Sequence, residues 1–245
     1  AQKVVLYGPE GIGKSTFASH FPDPLFIDTE GSTAHLDVKR TEDPTSWTML
    51  KGQISYVIKN PTLCKTLVID TADWAEGLAK DHLISTNGWK SIEEPGYGKG
   101  YTQLEETWSV LLNLLQEVIK VNVNVVLTAH SQIKKFEQPD EMGAYDRYEL
   151  KLEKKTAGLT KEWADLLIFT NYKTELITDS KTKKTKALGG KRMMYTMHRP
   201  AWDAKNRHSL PEELELDFKS IAHIFEEVPE PRNETLQEFI EKPKE

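Results

Sequence analysis

Apolar residues fall along this chain in two rhythms. Short unbroken runs, each closed by glycine or a polar residue, alternate with longer stretches in which apolar positions return every three or four residues. The runs are Val4-Val5-Leu6-Tyr7, Leu25-Phe26-Ile27, Leu67-Val68-Ile69, Val125-Val126-Leu127 and Leu166-Leu167-Ile168-Phe169. They are too short for helices and rich in β-branched residues, which predicts strands of a buried sheet. The slower rhythm predicts a helix over Thr45–Lys59, with Asp43-Pro44 at its start and Asn60-Pro61 at its end. It predicts another over residues 102–120, carrying Leu104, Trp108, Leu111, Leu112, Leu115, Val118 and Ile119 on one face. Trp47 reads as core. The alternation as a whole predicts an α/β fold with a mostly parallel central sheet and flanking helices.

The second half reads differently. Strands over Ala164–Tyr172 and Thr174–Thr178, a basic tip at Asp179–Lys184 and a return over Arg192–His198 predict an antiparallel hairpin at the sheet edge. Met193, Met194 and Met197 are expected to fill core gaps. Leu214, Leu216, Phe218, Ile221, Ile224 and Phe225 are expected to pack a last helix or strand on the body. Val228-Pro229-Glu230-Pro231 reads as a linker, and Glu234–Lys242 as a short acidic helix, marginal alone. The boundaries are therefore a core over 1–225 and an acidic tail over 226–245.

The first strand runs into Gly8-Pro9-Glu10-Gly11-Ile12-Gly13-Lys14-Ser15, and a helix follows at Thr16. Strand, G-x-x-x-x-G-K-[ST] and helix together form the phosphate-binding loop pattern. Without side chains in the way, the loop amides converge on phosphate oxygens. Pro9, Glu10, Gly11, Ile12, Gly13, Lys14, Ser15 and Thr16 are the predicted nucleotide-binding residues. Lys14 should reach the β- and γ-phosphates, and the Ser15 hydroxyl should ligate Mg²⁺. ATP and Mg²⁺ are the expected cofactors.

Three further strand ends carry candidate chemistry. Asp70 closes Thr66-Leu67-Val68-Ile69 and fits the carboxylate on the Mg²⁺ side. Asp73 and Glu76 follow it on a helix and are expected to face solvent. Leu25-Phe26-Ile27-Asp28 leads into Thr29-Glu30, a carboxylate at the carboxyl end of a strand beside the loop. His130 is the first long polar side chain after Asn124–Thr128, placed to contact a γ-phosphate.

Two long excursions remain. Residues 87–101 are expected to form a loop, with Gly96, Gly98 and Gly100 giving mobility and Tyr97, Lys99 and Tyr101 offering stacking faces and charge. Residues 131–160 form the second and hold Lys134 and Lys135. Part of it, from Ala144 to Lys155, is open between strand and helix.

Composition narrows the classes. The 245 residues are 29% charged, and no apolar run approaches the ~18 residues of a membrane span. No secretory signal is visible, and the opening at Ala1 without methionine suggests trimming. One cysteine, Cys64, excludes an internal disulfide and suits a reducing cytosol; it reads as a buried, inert thiol. Seven scattered histidines without ligand spacing predict no zinc site. The net charge of −6 is uneven: residues 131–207 carry 17 Lys/Arg against 11 Asp/Glu, while residues 208–245 carry 4 against 11. A basic middle and an acidic tail fit an anionic polymer site with a competing tail, and equally a solvated surface with chance asymmetry.

With these residues in place, the chain resembles the RecA-like core ATPases over about residues 3–210. Gly8-Pro9-Glu10 with Gly13-Lys14-Ser15 is close to their form of the loop, and Leu67-Val68-Ile69-Asp70 matches their Mg²⁺-side strand. Phe26–Glu30 is similar to their second-strand segment, whose glutamate activates the attacking water; the resemblance gives Glu30 that role. His130 stands where the family has a γ-phosphate-sensing glutamine. Lys205-Asn206-Arg207 is similar to a Lys-Asn-Arg motif whose cations reach a neighbouring subunit's nucleotide, although His208-Ser209 departs from the Phe-Gly that follows there. The resemblance thus implies a catalytic set of Lys14, Glu30, His130, Lys205 and Arg207.

The small size resembles most the minimal phage recombinases of the single-strand annealing group. That implies an ATPase stimulated by single-stranded DNA, self-assembly into a ring or filament, and a cytoplasmic place in the host cell. A phage single-strand DNA-binding protein is a further candidate partner, and no membrane is expected. The implied DNA loops fall at about 74–101 and 131–160. The family polymerises through an N-terminal element that is not recognised here. Two other readings stay open: an AAA-type helicase loader using ATP as a switch, and a kinase with the basic 181–192 segment as its lid.

Overall fold

The computed structural model describes residues 1–137, 144–178 and 185–226. The basic tip, the Pro-rich linker and the acidic helix expected from the sequence lie outside the described residues. The strands are β1 (Lys3–Gly8), β2 (Pro24–Asp28), β3 (Lys39–Arg40), β4 (Thr66–Asp70), β5 (Asn124–Glu137), β6 (Ala144–Leu150), β7 (Leu166–Thr178), β8 (Thr185–Tyr195), β9 (Lys205–Asn206) and β10 (Glu213–Glu215). The helices are α1 (Lys14–Ala18), α2 (Trp47–Lys59), α3 (Ala72–Asn87), α4 (Lys99–Lys120) and α5 (Lys154–Trp163). Two short 3-10 turns, Phe218–Ser220 and Ala222–Phe225, close the described chain.

Strands β7, β1, β5, β4, β2 and β3 lie side by side in that order, all parallel. The far edge turns antiparallel, with β8 on β7 and β10 on β8. This is the α/β architecture the sequence rhythm predicts. Because β-strand side chains alternate, each central strand feeds two cores. Val5, Tyr7, Leu67, Ile69, Val125 and Leu127 face α2, α3, α4 and α5. Val4, Leu6, Val68, Val126 and Ile168 face Phe17, Phe21, Phe218 and Phe225. Burial on both faces is why these strands are unbroken apolar runs.

Helix α2 starts at Trp47, later than the sequence suggests, because the Ser46 side chain accepts the Met49 N–H and caps it. In α4, Leu104, Trp108, Leu111, Leu115 and Val118 are buried. Trp108 stacks on Trp47, and its indole N–H donates to Thr160 Oγ1 at 2.8 Å. Cys64 is buried, which pushes its thiol up to about 11.

The two excursions are more ordered than expected. The first shrinks to residues 88–98, because α4 already begins at Lys99. Tyr101 therefore sits on a helix, its hydroxyl donating to Glu93 Oε1 at 3.0 Å. Gly100 packs so closely on the Ile92 carbonyl that a Cβ would collide with it, so this glycine serves packing and not mobility. Tyr97 is fully exposed. In the second excursion, β5 runs on past its parallel neighbours and pairs antiparallel with β6, from Ser131↔Leu150 to Glu137↔Ala144. Helix α5 follows, which settles the strand-or-helix question over 144–155.

Candidate nucleotide-binding site

Parallel pairing brings the polar strand ends to one edge. Gly8 is in register with His130, and Asp28 with Asp70. Strand β1 lies between β5 and β7, while its successor β2 lies beyond β4. The order thus reverses beside β1, which opens a crevice at the carboxyl ends. The crevice is a pocket of about 340 Å³ lined by Glu10, Gly11, Gly13, Lys14, Ser15, Thr16, Glu30, Ser32, His35, Thr71 and His130. A larger groove, of about 550 Å³ beside α2 and β3, is lined mainly by apolar groups such as Leu25, Met49 and Tyr56 and gathers none of the candidate catalytic residues.

The loop is held from behind. Gly8 touches Thr170 so closely that a Cβ would overlap its hydroxyl and carbonyl oxygens. Gly13 has φ +103°, a left-handed conformation that other residues resist, and an added Cβ would lie 2.7 Å from Arg192 Nη1. The antiparallel hairpin supplies two braces. Arg192 Nη1 donates to Ile12 O at 3.3 Å, and the Tyr172 hydroxyl donates to Gly11 O at 3.4 Å. Lys14 is buried, and its ammonium donates to Gly8 O at 3.2 Å and Pro9 O at 3.0 Å. Burial lowers its pKa, while Asp70, Asp73 and Glu30 pull it back up. An anion in the pocket would take over those carbonyl contacts.

Asp70 is fully buried. Its Oδ1 accepts the Thr128 hydroxyl, and its Oδ2 is buried without any partner. Burial raises its pKa against the pull of the Ser15 and Thr128 hydroxyls. An orphaned carboxylate oxygen beside the Ser15 hydroxyl fits a divalent cation held jointly with phosphate oxygens. Among the described residues no cluster of three His, Cys, Asp or Glu could hold a metal alone. Ser15 and Asp70 would be the protein's share of such a Mg²⁺ site, and the ion would draw charge from the phosphates.

Glu30 stands on a loop that Asp28 organises. Asp28 Oδ1 accepts the N–H groups of Glu30, Gly31 and Ser32, at 3.2, 2.7 and 3.3 Å. Its Oδ2 accepts the Thr33 N–H at 2.8 Å and the Thr33 hydroxyl at 2.6 Å. Glu30 is half-buried, and burial raises its pKa; His130 and Lys14 lower it, Asp70 and Asp73 raise it. A carboxyl raised in this way suits proton abstraction near neutral pH.

His130 faces Glu30, with Nε2 4.0 Å from Glu30 Oε2. Its other nitrogen, Nδ1, lies 2.7 Å from Asp73 Oδ2, and its backbone N–H donates to Asp73 Oδ1 at 3.0 Å. Asp73 is therefore not solvent-facing, and neither is Glu76, which is buried against Thr156, Lys80 and the Glu153 N–H. Both sit in the first turns of α3, directly after Asp70, and that turn points back at the crevice. The interval from Asp70 to Asp73 was the visible signal. Arg192 and Tyr172 had none, because the hairpin's path past the loop is a matter of sheet order.

The other candidates lie elsewhere. Lys205 lies in β9 and Arg207 directly follows it; β9 pairs with the first residues of β7 at the opposite end of the sheet. Lys205 donates to Glu162 O at 2.9 Å, and Arg207 to Asp165 Oδ1 at 2.6 Å. Neither is near the pocket of its own chain. Lys134 and Lys135 lie on the β5–β6 hairpin, both exposed, with Lys134 3.7 Å from Glu149. Lys134 lines a second cleft of about 400 Å³ with Asp73, Trp74, Gln132 and Lys151. Trp74 is 53% exposed there. Tyr97, Lys99 and Tyr101 do not line it.

Among the described residues no helix is long and apolar enough to cross a membrane. A family model described as an AAA domain matches residues 1–208. No curated protein matches the chain.

Proposed function

The chain belongs to the AAA-domain family of P-loop ATPase-like proteins, and from that premise we propose that it is an ATP-dependent, single-stranded DNA-binding recombinase or annealing protein of the phage RecA-like kind. The observation that carries the ATPase part is the convergence of Lys14, Ser15, Glu30 and His130 on one pocket, with the buried Asp70 beside the Ser15 hydroxyl. Loop amides and Lys14 bind the phosphates. Ser15 and Asp70 serve Mg²⁺. Glu30 orients a water and takes its proton as the terminal phosphorus is attacked. His130 faces the terminal phosphate.

The cleft beside Asp73 supports a polynucleotide as the partner. An exposed indole and two lysines, Trp74 with Lys134 and Lys151, are the combination that stacks a base and pairs with its phosphate. In this reading Arg207, 60% exposed in its side chain, meets the nucleotide of a neighbouring copy in a ring or filament.

The test is the ATPase rate with and without single-stranded DNA, read with particle mass by light scattering. Stimulation by DNA, weakening steeply as salt rises, and growth in mass are expected. ATP binding with no DNA response and tight binding to a helicase would replace this reading with an ATP-switched loader. Phosphate transferred to an acceptor other than water would replace it with a kinase.

A further inference from the structure

The Asp73–His130 contact decides what the histidine can do. A carboxylate only accepts hydrogen bonds, and a neutral imidazole has one donor nitrogen and one acceptor. Asp73 is ionised: burial raises its pKa, but the two hydrogen bonds from His130 outweigh that and hold it below the ordinary carboxylate value. Its Oδ2 lies 2.7 Å from Nδ1, so Nδ1 carries a proton. The second contact, from the His130 N–H to Asp73 Oδ1 at 3.0 Å, leaves the carboxylate no freedom to turn away. Nε2 then faces Glu30 and the pocket, and it bears a hydrogen only when the ring is an imidazolium.

We propose that Asp73 is the positioning residue of the phosphate sensor: it locks His130 with Nδ1 protonated, so that Nε2 donates to a terminal phosphate only as a cation. An amide side chain in that place would donate at any pH; this pair donates conditionally. Other charged groups bear on the choice. Asp73 comes from α3, Glu30 and His35 from the segment after β2, Lys14 from α1 and Asp70 from β4. The inference rests on the pocket binding ATP, as proposed above.

Asp73→Asn tests it. An asparagine can still accept the His130 N–H but presents an NH₂ group to Nδ1, which inverts the tautomer. The inverted ring bears its hydrogen on Nε2 while neutral and donates without a second proton, so kcat should not fall, KM for ATP should stay within twofold, and the nitrogen spectrum should show Nε2 as the protonated nitrogen. In a His130→Gln background the same change should do nothing further, because glutamine needs no such partner. Side-chain nitrogen NMR of the wild-type protein with a non-hydrolysable ATP analogue and Mg²⁺ should show both His130 nitrogens protonated, and this arm needs no variant to fold. A neutral wild-type ring protonated at Nε2, a kcat about tenfold lower in Asp73→Asn, or any loss from that change in the His130→Gln background, overturns the proposal. Failure of the analogue to bind the wild-type protein instead removes the ATPase reading itself, while the nitrogen spectrum of the free protein still reports whether Nδ1 is the protonated nitrogen.

Discussion

Asp28→Asn should show how far Glu30 depends on the loop beneath it. Asp28 is 2% exposed and accepts five hydrogen bonds. Asparagine offers one oxygen and one NH₂ group, so it can serve the Oδ1 side or the Oδ2 side but not both. If it keeps Glu30, Gly31 and Ser32, its NH₂ faces the Thr33 N–H at 2.8 Å. The Thr33 hydroxyl can rotate to accept, but the amide cannot. Charge-assisted hydrogen bonds are worth about 1.5–3 kcal/mol each, and a buried donor left unpaired costs a similar amount. With partial rescue by the hydroxyl, the variant should lose about 2–4 kcal/mol in urea unfolding. Amide exchange should quicken at residues 30–33, and kcat should fall because Glu30 is no longer held. The pH dependence has a definite sign. Burial pushes the Asp28 carboxyl up, but the Thr33 and backbone hydrogen bonds outweigh it, so the folded pKa lies below the ordinary value. The stabilisation is therefore complete above the unfolded pKa of about 3.9 and is lost as pH falls through the folded one. Wild type and variant should begin to converge in stability only below about pH 4 and meet once the pH has passed below the folded Asp28 pKa. A loss under about 0.5 kcal/mol at neutral pH, or a full loss with wild-type kcat, would refute this account of the loop.

Two further substitutions probe the pocket. Glu30→Gln keeps the shape and removes the base: ATP binding, read by fluorescent nucleotide titration, should be unchanged while kcat drops by about 10²–10⁴. Gly8→Ala forces a Cβ into the Thr170 hydroxyl and carbonyl oxygens, and the carbonyl belongs to the backbone of a buried sheet and cannot swing aside. It should cost about 1–3 kcal/mol in thermal or urea unfolding and weaken ATP binding with it, because the loop starts at this residue.

The pocket's chemistry and its control come from different elements. Lys14, Ser15, Asp70 and Glu30 sit at the ends of strands or on the loop itself. The groups that hold them in place, Asp28, Asp73, Thr128, Tyr172 and Arg192, lie under or beside them. Asp73 also lines the cleft that carries Trp74, so a ligand on that face would press on the turn that grips His130.

Much of this was legible in the order of residues. A strand buried on both faces must be an unbroken apolar run, so β1, β2, β4, β5 and β7 announce themselves, and with them the polar residues that end them. The phosphate loop is legible because its chemistry is local: glycines, lysine and serine act within eight consecutive positions. What lies between elements is not local. Whether residues 88–98 fold back depends on Gly100 meeting Ile92. Whether β5 continues into a hairpin depends on finding β6. Asp73 and Glu76 look like solvent-facing acids on a helix until the crevice and α5 close over them. Arg192 and Tyr172 reach the loop only because β7 lies against β1. Sequence periodicity reports which faces are dry, since burial selects residue type at every turn or step. The pairing of distant polar groups leaves no such periodic trace, because one contact selects one residue, and so, beyond the one-turn interval from Asp70 to Asp73, the contacts around His130 were decided by the tertiary fold.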